Sequence, residues 1–314
     1  MIQWAASVED RLPPMVGVGI AVVAVSTSAI LIRWSGAPSV VKAFYRVLFT
    51  TAAIAPFALR NRAGFRRISR RDLGFAVISG VALAVHFASF FESLEWTTVA
   101  ASVTLITTQP VFVGVGAAVL LDERFSVGMA AGILVAMAGA SVMSLGPFAA
   151  DALSSGGDVG AAVSAAFAGS TAQLYGNALA LGGAALGAVY TLAGRSLRQR
   201  LSLVTYTFIV YAVCAVALGS VAVGTGTSLS GYARREWMLF VAMALVPGLV
   251  GHTVINWALK YVRSTVVSVS LLGEPVASTF FALVLLDEVP GVVTVLGAAV
   301  VLVGIAITSR ARST

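Results

Sequence analysis

Apolar residues run along this chain in long blocks, and polar residues gather between them. Ten blocks have the ~20 mostly apolar residues that cross ~30 Å of hydrocarbon as a helix. They fall at roughly 15–34, 40–59, 73–94, 98–121, 127–145, 176–195, 203–223, 237–259, 264–286 and 291–309. Turn signals separate them at Gly36 to Ser39, Leu145-Gly146-Pro147 and Asp287 to Gly291. The longest break, 146–175, is rich in Ser, Gly and Ala and lacks Lys and Arg. The sixth block starts in a Gly/Ala run, so its limits can slide by several residues. The first follows Glu9, Asp10 and Arg11, is longer than a signal-peptide core and precedes nine more, so it reads as a first membrane helix.

Composition agrees. Of 314 residues, 59% are hydrophobic and only 11% charged, against ~25% charged in a soluble domain. A soluble globule of this size could not cover that much apolar surface. A soluble enzyme, a disordered chain and a disulfide scaffold are thereby excluded. One cysteine, Cys214, allows no intrachain disulfide, and with two scattered histidines it forms no metal framework. No cofactor is implied. There is no HExxH, and no GxSxG on a membrane helix, to support an intramembrane enzyme.

The net charge of +7 is explained by placement. With the arginine-rich loop 60–72 in the cytoplasm, ten crossings put both termini inside. Fifteen of the twenty Lys and Arg residues then lie on that side, and Arg33, Lys42, Arg46, Arg234 and Arg235 on the other. Nucleic acid is not needed as a partner. A small-molecule substrate and the lipid bilayer are, and a homo-oligomer is compatible.

The chain also repeats itself at an offset of 165. Pro110-Val111 matches Pro275-Val276, Leu120-Leu121-Asp122-Glu123 matches Leu285-Leu286-Asp287-Glu288, and Gly132 and Gly139 match Gly297 and Gly304. His86 and His252 fall at offset 166. Five crossings per copy, an odd number, turn the second copy upside down. Inverted repeats are the architecture of alternating-access carriers, with the substrate site where the repeats meet. The sequence therefore predicts an all-α membrane protein of ten helices in two inverted five-helix repeats, 1–146 and 176–314, joined by an external loop, 147–175.

Two five-helix halves, each ending in an apolar-Asp-Glu turn and a Gly-x6-Gly helix, resemble the EamA repeat of the drug/metabolite transporter superfamily. The general look is similar to bacterial exporters of amino acids, including the aromatic amino acid exporters. The resemblance implies a multi-pass protein of the bacterial inner membrane that exports amino acids or related small metabolites. A sugar, nucleotide derivative or drug is the alternative cargo.

Ionisable and polar groups at membrane depth are costly, so each is a candidate site. His86 in span 3 and His252 in span 8 occupy equivalent places, with Phe90 on the His86 face and Asn256 on the His252 face. Trp257 flanks the latter. Glu274 lies at the centre of span 9, where it could bind an ammonium group, carry a proton or make a structural hydrogen bond. These six residues form the expected substrate site. Gln109, Pro110 and Pro275 mark bends in spans 4 and 9, which free the carbonyls of Ile106 and Leu271 and suit a pair of gates. Arg46 is read as a structural charge that snorkels or pairs with Glu92 or Glu95, with a substrate-carboxylate clamp as the alternative. Asp122-Glu123 and Asp287-Glu288 are read as turns and as starts of spans 5 and 10.

Overall fold

The computed structural model describes residues 13–66, 68–97, 99–123, 125–167, 171–287 and 289–311. Arg11, Arg67, Arg124, Glu288 and Arg312 of the charge and turn readings lie outside them. The described residues are helical, with no strand among them. Nine helical stretches are long and apolar enough to cross a membrane, and Val127–Met143 is a shorter tenth. The spans are Pro14–Trp34, Ser39–Arg60, Arg70–Trp96, a broken fourth (Val99–Ile106 and Gln109–Leu120), Val127–Ser154, Thr171–Arg198, Leu203–Gly224, a composite eighth from Arg234 to Ala258, a broken ninth from Ser264 to Leu286, and Val292–Arg310.

Serines set several starts. Ser69, Ser126 and Ser202 each accept a hydrogen bond from the backbone N–H three residues on, at Asp72, Met129 and Thr205. The acidic turns act differently from expectation. Asp122 and Asp287 both adopt left-handed backbone, φ 51° and 55°, and close spans 4 and 9. Ser126 and Gly291, not the acids, precede spans 5 and 10. Aspartate tolerates the left-handed region better than most side chains, so the repeated Asp is a stop signal.

The stretch read as an external loop is largely helical. Span 5 continues to Ser154, a short helix covers Val159–Phe167, and span 6 begins at Thr171. Its alanines favour helix once neighbours cover one side, and the visible break is the turn at Ser155-Gly156, where Gly156 has φ 73°.

The two halves pack as inverted copies. Span 3 lies on span 6 as span 8 lies on span 1, while spans 2 and 7, and spans 5 and 10, pair with each other. Equivalent helices run antiparallel. Along span 5, Gly128, Gly139 and Gly146 approach Ala311, Val301 and Val293 in turn. In span 2, Phe44 sits by Gly219, whereas Asn61, just past its other end, hydrogen-bonds Ser202. This reversal is the geometric form of the odd-numbered repeat. Two ends follow: a Trp96 end with Ser35, Thr97 and Glu236, and an Arg60 end with Glu123, Arg200 and Lys260.

Span 8 is held on span 1 by shape. A Cβ on Gly17 would lie 2.3 Å from the Trp257 ring, while one on Gly19 would meet nothing. Gly17→Ala is expected to destabilise the purified protein by about 1–3 kcal/mol through overpacking. Gly19→Ala should be neutral or stabilising by up to about 1 kcal/mol through helix propensity. Melting curves of both variants in one detergent check the contrast.

Candidate functional site

Spans 1, 2, 3, 4, 6, 8 and 9 surround a cavity of about 340 Å³, near the low end of the ~300–1,000 Å³ usual for ligand pockets. Its walls run from Ser268 and Leu272 to Ile32, Phe91 and Val103, which lie on the Trp96 side of their spans' centres.

Two broken helices build the wall. Span 4 stops at Ile106, turns through Thr107 and Thr108, and restarts at Gln109 with Pro110 in its first turn. Span 9 stops at Ser270, tightens into a 3-10 turn over Leu271–Gly273, and restarts at Glu274 with Pro275. Each proline lacks the N–H its helix would need. The Leu271 carbonyl, expected to be freed, instead accepts from the Glu274 backbone N–H. Ser26 Oγ of span 1 lies 2.7 Å from the Val22 carbonyl and 3.2 Å from the Glu274 carbonyl, and Ser278 donates to the Ser26 carbonyl at 3.0 Å. The break is thus satisfied by protein, as a low-dielectric setting demands. Both restarted helices begin at the cavity.

Span 8 breaks regularity in its own way. Residues Ala244–His252 form a π-helix that contains Pro247, and the Thr253 N–H reaches back five residues to the Gly248 carbonyl. Thr50 Oγ1 lies 3.0 Å from the Ala244 carbonyl and 2.7 Å from that of Arg46. Span 3 has valine, Val81, where the repeat offset of 166 places the Pro247 counterpart, and it stays α-helical throughout.

The structure brings His86, Phe90, Gln109, Pro110, His252, Glu274 and Pro275 to this one cavity. It also brings Arg46, which departs from expectation. Arg46 is 6% exposed and pairs with neither Glu92 nor Glu95 among the described residues. Its guanidinium lies 5.0 Å from the centroid of the Phe87 ring. Glu92 accepts instead from Trp96 Nε1 at 2.8 Å. Position seven residues into span 2 puts Arg46 too deep, and on the wrong face, to reach those acids.

Asn256 and Trp257 do not line the cavity. Asn256 is fully buried behind it, with Nδ2 2.7 Å from the hydroxyl of the wall residue Tyr190, 3.0 Å from that of Tyr211 and 2.8 Å from the His252 carbonyl. Trp257 turns toward span 1 and Gly17. The two histidines also differ. His86 Nδ1 is 2.8 Å from the Gly183 carbonyl, which can only accept, so Nδ1 carries the proton and Nε2 is the acceptor in the neutral ring. His252 Nδ1 is buried without a partner, and its ring meets Phe87 edge-on at 5.7 Å.

At the Arg60 end, Glu123 is more than a turn residue and forms a cluster. Its Oε1 accepts from Arg195 Nε at 3.0 Å and from the Ser264 backbone N–H at 3.2 Å, and Oε2 accepts from Ser264 Oγ at 3.0 Å. Arg195 also donates to the carbonyls of Leu259 and Lys260. One carboxylate therefore ties the turn after span 4 to the end of span 6 and the start of span 9. Nearby, Arg200 pairs with Asp72 at 2.8 Å.

Two stretches, residues 14–145 and 174–310, match the EamA-like transporter family. The chain belongs to that family, and it is a multi-pass membrane transporter of the drug/metabolite type. A solved structure titled "Crystal structure of protein" superposes with a TM-score of 0.74 over 94% of this chain and 96% of its own, at 19% sequence identity, and so shares the fold. No curated protein matches the chain.

Proposed function

We propose that this transporter moves amino acids, neutral and aromatic ones foremost, and related small amphipathic metabolites outward across a bacterial inner membrane by alternating access. The observation that carries the reading is a cavity walled by equivalent, broken spans from both inverted halves, each interrupted at a proline. Such breaks at a repeat interface are where carriers hold substrate. His86, His252 and Glu274 supply the polar contacts, and Phe90 with its neighbours takes an apolar side chain. Asn256 acts from behind the wall, by holding Tyr190, and Trp257 by fixing span 8 on span 1. Gln109, Pro110 and Pro275 are the hinges. The halves 1–146 and 176–314 are the moving bodies. With the Arg60 end cytoplasmic, both termini lie inside, and the Glu123 cluster closes the cytoplasmic side.

Flux in proteoliposomes tests this, with labelled aromatic, aliphatic and charged amino acids offered with and without a pH gradient. Saturable flux of aromatic or other neutral amino acids is expected. Single replacement of His86, Phe90 or Glu274 by Ala should lower kcat/KM by about tenfold or more, the effect of removing one specific polar or packing contact. Absence of flux for every amino acid, by folded protein, would refute the cargo assignment. Undiminished flux in all three variants would refute the site.

A further inference from the structure

Arg46 is a buried charge without an acceptor among the described residues. It is 6% exposed, its Nη2 is buried with no hydrogen-bond partner, and it lies on the cavity wall. Its visible support is the Phe87 face, a cation–π contact that offers no hydrogen-bond acceptor. Glu274 shares the cavity, and among the described residues the two stand outside ion-pair distance. A guanidinium carries five N–H donors in a planar fork that suits a carboxylate's two oxygens. A buried fork without an acceptor is unfavourable unless something completes it.

The acceptors lie on other walls. Glu274 comes from span 9, and His86 presents Nε2 as its ring acceptor from span 3. An anion at Arg46 and a cation at Glu274 would satisfy both side chains and bridge the gap between them. Phe87 and Phe90 border the same space and suit an apolar substituent.

We propose that Arg46 is the anion anchor of the cavity, and that the cargo is an α-amino-carboxylate zwitterion: its carboxylate takes the Arg46 fork, its ammonium faces Glu274, and its apolar side chain lies on Phe87 and Phe90. The assignment rests on the reading of this cavity as the transport site, and it makes Arg46 the residue that selects carboxylate cargo. A pair of charges held apart by the fold also disfavours solutes with a cation alone, because the guanidinium then stays unpaired.

The test is direct binding to the full-length purified protein, read as ligand-induced shift of its melting curve. The probes share one ring: L-phenylalanine, 3-phenylpropionate without the ammonium, and 2-phenylethylamine and L-phenylalaninamide without the carboxylate. Wild type should bind L-phenylalanine and 3-phenylpropionate, and bind the two carboxylate-free probes about tenfold or more less tightly, the usual scale for losing one partner of a buried charged contact. Arg46→Gln should lose about that factor for both carboxylates while 2-phenylethylamine binds no more weakly than to wild type, and Arg46→Lys should fall between. If Arg46→Gln does not fold, the comparison of L-phenylalanine with its amide on wild type decides alone. Equal binding of acid and amide, or no binding of either carboxylate, would overturn the proposal. Arg46-dependent binding of 3-phenylpropionate in a protein that shows no amino acid flux would uphold the anchor and overturn the transport reading.

Discussion

Glu123→Ala is expected to lower the stability of the purified protein by about 2–3 kcal/mol and to unlatch the Arg60 end of the bundle. The Glu123 side chain is 8% exposed and that of Arg195 22%. Removing one partner of a buried pair costs about 3–5 kcal/mol when the other charge is stranded. Arg195 is not fully stranded, because it keeps the carbonyls of Leu259 and Lys260 at 2.9 and 3.0 Å, so the lower value applies. The start of span 9 loses more, since the Ser264 backbone N–H and hydroxyl both give up their acceptor. Glu123→Gln, which keeps an acceptor for Ser264 but no charge for Arg195, should fall about midway. The melting midpoint should drop by roughly 5 °C or more for Ala. These contacts join spans 4, 6 and 9 while this end is closed. Their loss should therefore shift the population toward opening there by about tenfold for each 1.4 kcal/mol not shared by the open state. A variant that melts like wild type would deny the cluster its structural role.

Gly304→Val should be at least as damaging, by a different route. Spans 5 and 10 meet backbone against backbone at their glycines. A Cβ at Gly304 would stand 2.3 Å from the Ala136 backbone nitrogen, and one at Gly139 would stand 2.5 Å from that of Val301. Backbone cannot swing aside as a side-chain tip can, so the two helices must separate. In lipid, helix association relies on such close packing and not on a hydrophobic force. Overpacking of a tight interior costs about 1–3 kcal/mol and more where the backbone must move; about 3 kcal/mol or more is expected for Val, and less for Ala. Loss of a monodisperse peak in size-exclusion chromatography, or a melting midpoint lowered by several degrees, would show it. A substitution at Gly182, where a Cβ meets nothing, should leave both readings unchanged.

Much of this architecture is written in the sequence because lipid leaves little choice. Ten apolar blocks, an odd repeat and two mid-span prolines lead to antiparallel equivalent helices and two broken ones. Placement of a side chain about the helix axis is less legible. Arg46 lies at a depth from which an arginine can snorkel, and only the packing of span 2 against spans 3 and 7 turns it to the cavity. A continuous α-helix would put Asn256 and Trp257 at the cavity, but the π turns over Ala244–His252 alter the register before them. Pro247 was the available signal. Glu123 was legible as a turn residue and not as a latch, since Arg195 and Ser264 lie 72 and 141 residues away in the chain. The Ala-rich stretch 146–175 carries no apolar stripe strong enough to mark it as helix, and its neighbours decide.

The central claim is that the cavity is a path opened in turn to each side of the membrane. The most direct measurement places a thiol in it. Cys214 is buried in the core formed by spans 2, 3, 6 and 7, and its replacement by Ala leaves a background for Thr107→Cys at the break of span 4, on the cavity wall. A membrane-impermeant maleimide applied from each side of oriented vesicles should label this cysteine from both, with the ratio of the two rates changed by L-phenylalanine and shifted toward the Arg60 end by Glu123→Ala. Labelling from one side only, with and without solute and in both backgrounds, would contradict alternating access through this cavity.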